Sequence, residues 1–364
     1  MIINFEECLD KVKTPLKLQK SKYLKQGNFP VISQEASLIN GYSNESKMLF
    51  KLKKPVVVFG DHTRVLKYID FDFILGADGA KILQPVDDLD AKYFYYLLKL
   101  HMPESKGYAR HFRLLKEINF YKPSLSRQKS IVSKLDYIFE EIHKYTDAID
   151  EIQEKINALL EKFLDGIAKI KAPMISLKKV CDLQAKLINP KDTPYSEKLH
   201  IGAGNIESIS NKLVNVKTAE EEGLISGKFP FDTNVVLYSK IRPYLRKVHL
   251  PNHSGICSAD IYPLIPNPLK LNREYLYYLL LSKNFTDYAM KGSARAGMPK
   301  INRNHLFKFN FPLPGLEEQK LQVEKIKAAF IKLTTLRDIN ILKINKFNQL
   351  KYSILFKELQ DKNR

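Results

Sequence analysis

The sequence has little cysteine and no long hydrophobic run, and each absence excludes a class of protein. Its three cysteines, Cys8, Cys181 and Cys257, are scattered, so they form neither a disulfide framework nor a pair with zinc-ligand spacing. No apolar run approaches the ~18 residues that a membrane span needs. The N-terminal segment Met1–Cys8 is acidic and lacks the apolar core of a signal peptide. These absences argue against membrane, secreted and zinc-finger proteins, and they favour a reducing, cytoplasmic compartment.

The chain also lacks the sequence patterns that common enzymes require. Ile201-Gly-Ala-Gly-Asn205 has no dinucleotide signature after it and is typical of a turn. Asn189-Pro190 and Asn267-Pro268 are not followed by the proline and aromatic residue with which an amino-methyltransferase grips a target base. No phosphate-binding Gly-x-x-x-x-Gly-Lys-Ser/Thr loop is present, and the eight histidines form no two-ligand helical pair. We therefore expect a binding protein without catalytic chemistry or a metal site of its own.

Positive charge is abundant but unevenly distributed. The 364 residues include 59 Lys and Arg and 40 Asp and Glu, which gives a net charge of +19. Residues 1–127 contain 21 basic and 14 acidic residues, a net of +7, and residues 173–316 contain 20 and 11, a net of +9. Between them, residues 128–172 are slightly acidic, with 7 basic and 9 acidic residues. Two separate basic blocks indicate a polyanionic partner, most simply nucleic acid.

The two basic blocks are diverged copies of one sequence. Tyr93-Phe-Tyr-Tyr-Leu-Leu98 recurs as Tyr275-Leu-Tyr-Tyr-Leu-Leu280, and Ile118–Gln128 recurs as Phe309–Gln319. Further matches occur upstream in the same order, and they pair Val56–Phe59 with Val235–Tyr238 and Met1–Cys8 with Met174–Cys181. An ordered series of this kind indicates a tandem duplication.

Each copy is predicted to be a mixed α and β block followed by a long helix. Val56–Phe59 and Val235–Tyr238 are short and β-branched, which is typical of buried strands. Helices are predicted over Asp90–His101 and Asn272–Met290, with Asp90 and Asn272 as N-caps, and their aromatic residues are expected to pack in the core. The predicted boundaries are 1–127 for the first block, 128–172 for its helix and linker, 173–316 for the second block and 317–364 for its helix.

The first long helix carries a sustained heptad pattern that ends near Gly166. Its apolar positions are Ile131, Leu135, Ile138, Ile142, Tyr145, Ile149, Ile152, Ile156, Leu159 and Phe163. The second is less regular, with Ile326, Phe330, Leu333, Arg337, Asn340, Ile344, Phe347, Lys351 and Ile354 in the corresponding places. We expect the helices to pair as an intramolecular antiparallel coiled coil that holds the blocks at a set separation, with Asn340 setting its register. The alternative is that each helix packs on its own block.

The order of these elements resembles the specificity subunit of type I restriction–modification systems over essentially the whole chain. The most specific matches are Phe311-Pro-Leu-Pro-Gly-Leu-Glu-Glu-Gln319, Gly292-Ser-Ala-Arg-Ala-Gly-Met-Pro-Lys300 and Tyr238-Ser-Lys-Ile-Arg-Pro-Tyr244. The first copy departs from the family pattern in Lys122-Pro-Ser-Leu-Ser-Arg-Gln128, where Arg127 stands in place of the usual Glu.

The resemblance implies a division of labour among subunits. Each block would be a target recognition domain that reads one half of a split double-stranded DNA sequence, and the helices would be spacers with docking surfaces. Two modification subunits would methylate adenine with S-adenosylmethionine, and restriction subunits would use ATP and Mg²⁺ for translocation and cleavage. No cofactor is implied for this chain.

The candidate DNA contacts are basic and hydrogen-bonding residues outside the predicted strands and helices, since Arg and Lys bind both phosphates and guanine edges. In the first block they are His62, Thr63, Arg64, Lys67, Lys81, Arg110 and Arg113. In the second they are Lys240, Arg242, Tyr244, Arg246, Lys247, Arg295, Lys300 and Arg303. Two rigidly spaced domains would read half-sites about one helical turn apart, ~34–36 Å.

Other functions fit the same features. One is recognition within a different multisubunit modification or restriction enzyme, and another is a coiled-coil protein that binds RNA or anionic surfaces without sequence preference. An unrecognised enzyme is a further alternative, which turnover by the isolated chain would reveal.

Overall fold

A computed structural model describes residues 1–77, 79–105, 107, 109–293 and 298–360. The chain divides into two compact units. Unit 1 comprises Met1–Ala148 with the described part of Lys343–Arg364, and unit 2 comprises Ile149–Leu342. Each unit contains strands, short helices and parts of the two long helices, as the mixed α and β prediction expects.

The strands of unit 1 form three small sheets. They are β1 (Ile2–Asn4), β2 (Phe29–Ile32), β3 (Gly41–Ser43), β4 (Leu49–Phe50), β5 (Val56–Gly60), β6 (Leu66–Ile69), β7 (Phe73–Leu75), β8 (Ala80–Leu83) and β9 (Asn119–Tyr121). The strand orders are β3-β2-β7-β4, β6-β5-β8 and β1-β9. All pairs are antiparallel except β2 with β7. Every residue of β5 is buried, which explains its unbroken run of apolar side chains.

The helices of unit 1 are α1 (Ala91–Leu100), α2 (Phe112–Leu115) and the first part of α3 (Leu125–Gly166). Helix α1 begins where predicted, because the Asp90 carboxylate accepts hydrogen bonds from the backbone N–H groups of Lys92 and Tyr93, both at 2.9 Å. The core of unit 1 joins α1, β5 and β8 to Ile131 and Leu135 of α3.

Unit 2 has ten strands. They are β10 (Met174–Ser176), β11 (Cys181–Leu183), β12 (Leu199–Ile201), β13 (Lys217–Thr218), β14 (Phe229–Phe231), β15 (Val236–Ser239), β16 (Val248–His249), β17 (Gly255–Cys257), β18 (Ile261–Pro266) and β19 (Asn310–Pro312). The strand orders are β13-β12-β17-β14, β11-β18-β15-β16 and β10-β19, and β12 with β17 is the parallel pair. This arrangement repeats that of unit 1, with β11 added at one edge.

The other helices are α4 (Arg273–Leu281), α5 (Lys283–Lys291), α6 (Arg303–Phe307) and α7 (Leu316–Gln360), whose residues from Lys343 onward belong to unit 1. The single helix predicted over Asn272–Met290 is wrong, because the chain breaks at Ser282. Its backbone is extended there, and its hydroxyl accepts a hydrogen bond from Phe285 N at 3.2 Å. Ser282 is therefore the N-cap of a second helix.

A buried glutamine makes the same three hydrogen bonds in both units. The Gln128 Oε1 accepts from Asp90 N at 2.7 Å, and its Nε2 donates to the carbonyls of Asp88 and Pro123. In unit 2, Gln319 Oε1 accepts from Asn272 N at 2.8 Å, and its Nε2 donates to Lys270 O and Pro314 O. Each glutamine thus ties the start of a long helix to the start of the short helix in the same unit.

The long helices pair in an antiparallel direction in unit 1. Lys134 Nζ lies 2.7 Å from Glu358 Oε1, and the rings of Tyr145 and Phe347 stack with centroids 6.3 Å apart. Leu355 and Leu359 also enter the core of this unit. The two long helices therefore pair with each other, as predicted, and they also pack on the globular part of the unit, which was the alternative.

The predicted heptad seam is wrong in the second half of α3. Leu159 and Phe163 are 44% and 40% exposed, whereas Leu160 and Leu164 are buried. From Ile156 onward the buried positions step by four, because this part of α3 packs into the core of unit 2 instead of continuing a coiled-coil seam. Tyr145 and Ile152, which the seam also included, are exposed as well. On α7, Asn340 is buried as expected, and its Nδ2 has no hydrogen-bond partner among the described residues.

Candidate nucleic-acid interface

The loop between β15 and β16 of unit 2, Lys240–Lys247, brings several of the predicted DNA contacts together. It contains a 3-10 turn over Pro243–Leu245, and the residues on either side of it, Arg242 and Arg246, have left-handed backbones with φ of 47°. This conformation is costly for a residue with a side chain, so the surrounding contacts must hold the loop in this shape.

Hydrogen bonds and an ion pair provide that support. Arg246 Nη1 lies 2.5 Å from Glu161 Oε1 on α3, in a pair whose arginine side chain is largely buried. Lys247 Nζ donates to Ala203 O at 2.6 Å, and the Ser208 hydroxyl donates to Leu245 O. Because their cationic groups are engaged inside unit 2, Arg246 and Lys247 are better placed to position the loop than to reach DNA.

A second segment runs alongside this loop. Ile241 and Lys300 form an antiparallel bridge, Arg242 N donates to Pro299 O at 2.8 Å, and Ile301 N donates to Lys240 O at 2.9 Å. These bonds place Lys240, Arg242 and Lys300, which were predicted separately as DNA contacts, in one group. Arg295 lies outside the described residues, so its predicted role stays a prediction.

The cations of this group influence one another. Burial lowers the pKa of Lys240, and the positive charge of Lys300 lowers it further. Burial and the nearby Arg242 likewise lower the pKa of Lys247. Asp260 offsets part of the repulsion, since its Oδ1 lies 3.2 Å from Lys300 Nζ and 3.8 Å from Lys240 Nζ. A phosphate would relieve the remaining repulsion, because it brings negative charge to the same place.

Three residues of the interface face outward and are therefore accessible to a ligand. Arg242 is exposed, Tyr244 is 51% exposed at the tip of the 3-10 turn, and Arg303 is exposed at the first turn of α6. Arg303 also lies over the ring of Phe307, with 5.6 Å from its Cζ to the ring centroid. A fixed loop that presents an arginine fork and an aromatic ring is suited to contact base edges and the DNA backbone.

In unit 1 the corresponding turn is shorter and lies between β5 and β6. Its Asp61 is buried, accepts from Phe112 N through Oδ1 at 2.8 Å, and accepts from His111 N through its carbonyl at 2.9 Å. Thr63 donates its hydroxyl to Gln34 O at 2.6 Å. Arg64, near the end of the turn, has a left-handed backbone with φ of 60°. Its side chain holds the turn in place, because Nη1 donates to Pro103 O at 2.9 Å.

The other predicted contacts of unit 1 are spread over different environments. Lys67 is buried, donates to Asn40 Oδ1 at 2.7 Å, and has its pKa lowered to about 8 by burial. Lys81 Nζ lies 4.7 Å above the ring of Phe112. Arg110 and Arg113 are exposed. His62, whose backbone N–H donates to Gln34 Oε1 at 3.2 Å, is half-buried.

Several residues that shape this interface were missed by the sequence analysis. Glu161 is the clearest, because a glutamate on a charged helix gives no sign of an arginine that arrives from 85 positions away. Asp260 and Ser208 were also missed. The only signal was indirect: Asp260 comes just before β18, in the block where basic residues dominate.

Two features are absent from the described residues. No helix there is both long enough and apolar enough to cross a membrane. The same residues hold no cluster of three or more His, Cys, Asp or Glu that a metal ion would use.

Comparison with known proteins gives matches over both units. The family described as "Type I restriction modification DNA specificity domain" matches residues 6–154 and 171–346. The EcoDI specificity subunit of Escherichia coli is 35% identical over 178 residues, which are 49% of this chain and 39% of that protein. The EcoR124I/EcoR124II specificity subunit of Escherichia coli is 26% identical over 342 residues, which are 84% of this chain and 82% of that protein.

A solved structure has the same fold. It comes from work titled as the structural basis of complex assembly and conformational transition of the type I R-M system. It aligns with a TM-score of 0.66 and 14% identity, over 99% of this chain and 97% of that one. The match to the EcoDI subunit covers under half of that relative, whereas the structural match runs the length of both chains.

Proposed function

Because the chain belongs to the type I restriction–modification DNA specificity domain family, we propose that it binds a bipartite double-stranded DNA target, one part through each unit. It is a specificity subunit with two tandem target recognition domains. In this proposal the recognition domains span residues 1–127 and 173–316, and DNA binding directs adenine methylation, and cleavage where restriction subunits are present, by partner subunits in the cytoplasm.

A pair of equivalent loops, one in each unit, gives the main support for this function. In both units a loop that follows a fully buried strand is bonded in the same way to the segment before a short helix. In unit 1, Asp61 O accepts from His111 N, and in unit 2, Lys240 O accepts from Ile301 N, both at 2.9 Å. Both loops and both segments contain predicted DNA contacts. A duplicated loop of this kind supports two readings of DNA, one by each unit.

The proposed roles differ among the residues. Arg242 and Tyr244 reach base edges from the loop of unit 2, and Lys300 and Arg303 bind phosphates. Lys240, whose side chain is 13% exposed and donates to Ala259 O, supports the loop from inside. In unit 1, Arg110 and Arg113 are exposed cations among the predicted contacts, and Thr63 and His62 lie in the turn. Lys67, Arg246 and Lys247 support these loops from inside, which is a positioning role.

Partner subunits complete the proposal. Two modification subunits supply S-adenosylmethionine chemistry, and restriction subunits use ATP and Mg²⁺, so this chain needs no cofactor. Exposed apolar side chains on α7, such as Ile331, Leu336 and Ile339, give such partners a surface to cover.

Selection of DNA from a random duplex pool tests the proposal. The full chain, bound to its modification subunits, should enrich a split motif with an unread spacer. Arg242→Ala should relax one half of that motif and leave the other unchanged, whereas Lys171→Ala, which removes an exposed cation away from the loop, should change neither. Binding without any enriched sequence would favour the alternative of a non-specific nucleic-acid-binding protein.

A further inference from the structure

Unit 2 contains a cleft with a volume of about 840 Å³ that shares only Arg303 with the proposed DNA interface. It lies among the 3-10 turn Leu177–Lys179, the end of β18 and helix α6. Its apolar lining includes Val180, Pro266 and Leu269, and Leu269 is 83% exposed. An apolar concavity of this size accommodates a few side chains of a partner.

Positive charge surrounds this apolar lining. Lys178, Lys179, Arg303 and Lys308 all line the cleft and are all exposed. Within the described ranges, none of the four has a carboxylate at ion-pair distance, although Asp182 also lines the cleft. The cleft therefore offers uncompensated cations next to exposed apolar surface.

Backbone hydrogen bonds identify the same place in unit 1. Phe5 N donates to Ile118 O and Leu177 N donates to Phe309 O, at 3.0 and 2.9 Å. One turn later, Val86 N donates to Cys8 O at 3.0 Å, as Asn267 N donates to Val180 O at 2.8 Å. This correspondence is shifted by one residue from the sequence match of Met1–Cys8 to Met174–Cys181, and it places Glu6 and Glu7 at the positions of Lys178 and Lys179.

The charges at that place are opposite in unit 1, and several of them form ion pairs. Glu6 Oε1 lies 2.6 Å from Lys116 Nζ, and Asp88 pairs with Lys122. Asp87 Oδ1 lies 2.5 Å from Lys54 Nζ. In unit 1 this surface is acidic and several of its carboxylates form ion pairs. In unit 2 the corresponding surface is basic, and its cations have no ion-pair partner among the described residues. The shared scaffold does not require the cations, since the other copy folds without them.

We propose that this cleft binds an acidic peptide segment of a protein partner, with at least one apolar side chain of that segment on the floor of the cleft. The inference rests on the proposed role as a subunit of a larger complex. Charge complementarity selects carboxylates for the rim, and the apolar floor selects a protein over DNA, because a duplex backbone has no apolar side chain to bury. A duplex is also too wide to enter a concavity of this volume.

The consequence is an asymmetric assembly. The partner segment binds at unit 2, while the corresponding surface of unit 1 would repel it. A duplicated subunit would in this way distinguish its two halves for partners, independently of the DNA sequence that each half reads.

A fluorescent peptide tests the inference directly. The probe is a fluorescein-labelled peptide in which Asp and Glu alternate with Leu, and the comparison peptide has Asn and Gln in place of Asp and Glu. Anisotropy is measured with the full chain. We expect Lys178→Glu with Lys179→Glu to weaken binding of the acidic peptide at least tenfold, and the milder Lys178→Gln with Lys179→Gln to weaken it by less.

A charge-matched control separates the cleft from the net charge of the chain. Lys186→Glu with Lys191→Glu removes the same charge from exposed lysines of unit 2 that do not line the cleft, and it should change peptide affinity less than twofold. Circular dichroism should show the same fold for all variants. Equal weakening by both pairs, or equal binding of the neutral peptide, would overturn the inference.

The same variants distinguish this inference from the DNA-binding proposal. The cleft variants should enrich the same split DNA motif as the unmodified chain. If a random-sequence duplex displaces the peptide and the cleft variants lose affinity for that duplex, the cleft is a phosphate-contacting surface and the inference fails. If the split motif is enriched but the acidic peptide does not bind, the inference fails and DNA recognition stands.

Discussion

Units 1 and 2 share their buried polar contacts and differ in their exposed loops. The buried pair Gln128 and Gln319 makes the same three hydrogen bonds in each copy, and the Tyr93 and Tyr275 hydroxyls donate to the equivalent carbonyls of Tyr121 and Pro312, each at 3.1 Å. A buried polar group that loses its partner is costly, so these contacts have been retained after duplication. The order of the strands and short helices is likewise the same in both units, apart from the additional β11 and α5 of unit 2.

The loops have diverged in length and charge. Five residues separate β5 from β6, whereas eight separate β15 from β16. At the first position of each loop, unit 1 has the buried Asp61, whose carboxylate is bonded to Phe112 N, and unit 2 has Lys240 in a group of cations. The shared buried contacts therefore set the position of the loop in each unit, whereas the residues of the loop determine what that unit binds.

Replacement of the buried glutamines should have the largest effect. Gln319→Leu leaves Asn272 N, Lys270 O and Pro314 O without their partner, and we expect a loss of about 4 kcal/mol in the free energy of unfolding of unit 2. Gln128→Leu should cost unit 1 a similar amount. Hydrogen exchange of α1 and α4 amides would measure each unit separately. Gln349→Leu, at an exposed position, is the control, and a large difference between the two copies would contradict their equivalence.

Truncation of core residues on α7 should show that this helix serves the two units separately. Leu355 is buried in unit 1 and Phe330 is buried in unit 2. Each substitution to Ala should destabilise its own unit by about 3 kcal/mol and leave exchange in the other unit unchanged. The matched substitution Leu350→Ala, at a half-exposed position, should cost under about 1 kcal/mol. Exchange that accelerates in both units would mean that they do not unfold separately.

Removal of the loop anchor should affect recognition by unit 2 only. Glu161→Ala leaves the Arg246 guanidinium without its carboxylate, so the left-handed loop loses its support. We expect the affinity for the selected DNA motif to fall about tenfold, with the loss confined to one half of that motif. Competition binding against half-site variants measures this, with Glu154→Ala as a control on an exposed face of the same helix. An unchanged affinity would remove Glu161 from the interface.

Substitution of Lys67, the buried lysine of unit 1, should have the smallest effect on the free energy of unfolding, and this effect should depend on pH. Burial lowers the pKa of Lys67 to about 8, so the folded state releases this proton before the unfolded state, where the value is near 10.5. The unfolded state then binds more protons between these values, and the stability contributed at this position rises as pH increases from about 8 to 10.5.

Comparison with a variant isolates that contribution. The difference in free energy of unfolding between the unmodified chain and Lys67→Met should rise with pH over this window. Lys47→Met, at an exposed position, should show no such rise. A falling difference would mean that Lys67 gains a charged partner in the folded state.

The sequence was sufficient to predict features that depend on local chemistry or on repetition. The duplication, the caps Asp90 and Asn272, and the burial of the aromatic helices were all confirmed by the structure. The membership in the specificity-subunit family was confirmed by the match over both units. These features leave a trace in the spacing of residues along the chain.

Features that depend on distant contacts could not be predicted. The break at Ser282 involves a single hydroxyl, which accepts from Phe285 N and donates to Leu279 O, and it leaves the apolar pattern intact, so the pattern suggested one helix. The seam shifts after Ile156 because the core of unit 2 lies against α3 there, which heptad spacing alone does not reveal. Arg246 and Lys67 look like surface cations in sequence, and only the structure shows their internal partners.

A map of methylated adenine in a host that expresses this chain with its modification subunits tests the central claim most directly. We expect a split motif that is methylated on both strands and disappears when this gene is deleted. Arg242→Ala should alter one half of that motif and leave the half read by unit 1 unchanged. A single contiguous motif, or a change in both halves, would contradict two independent recognition units on one duplicated scaffold.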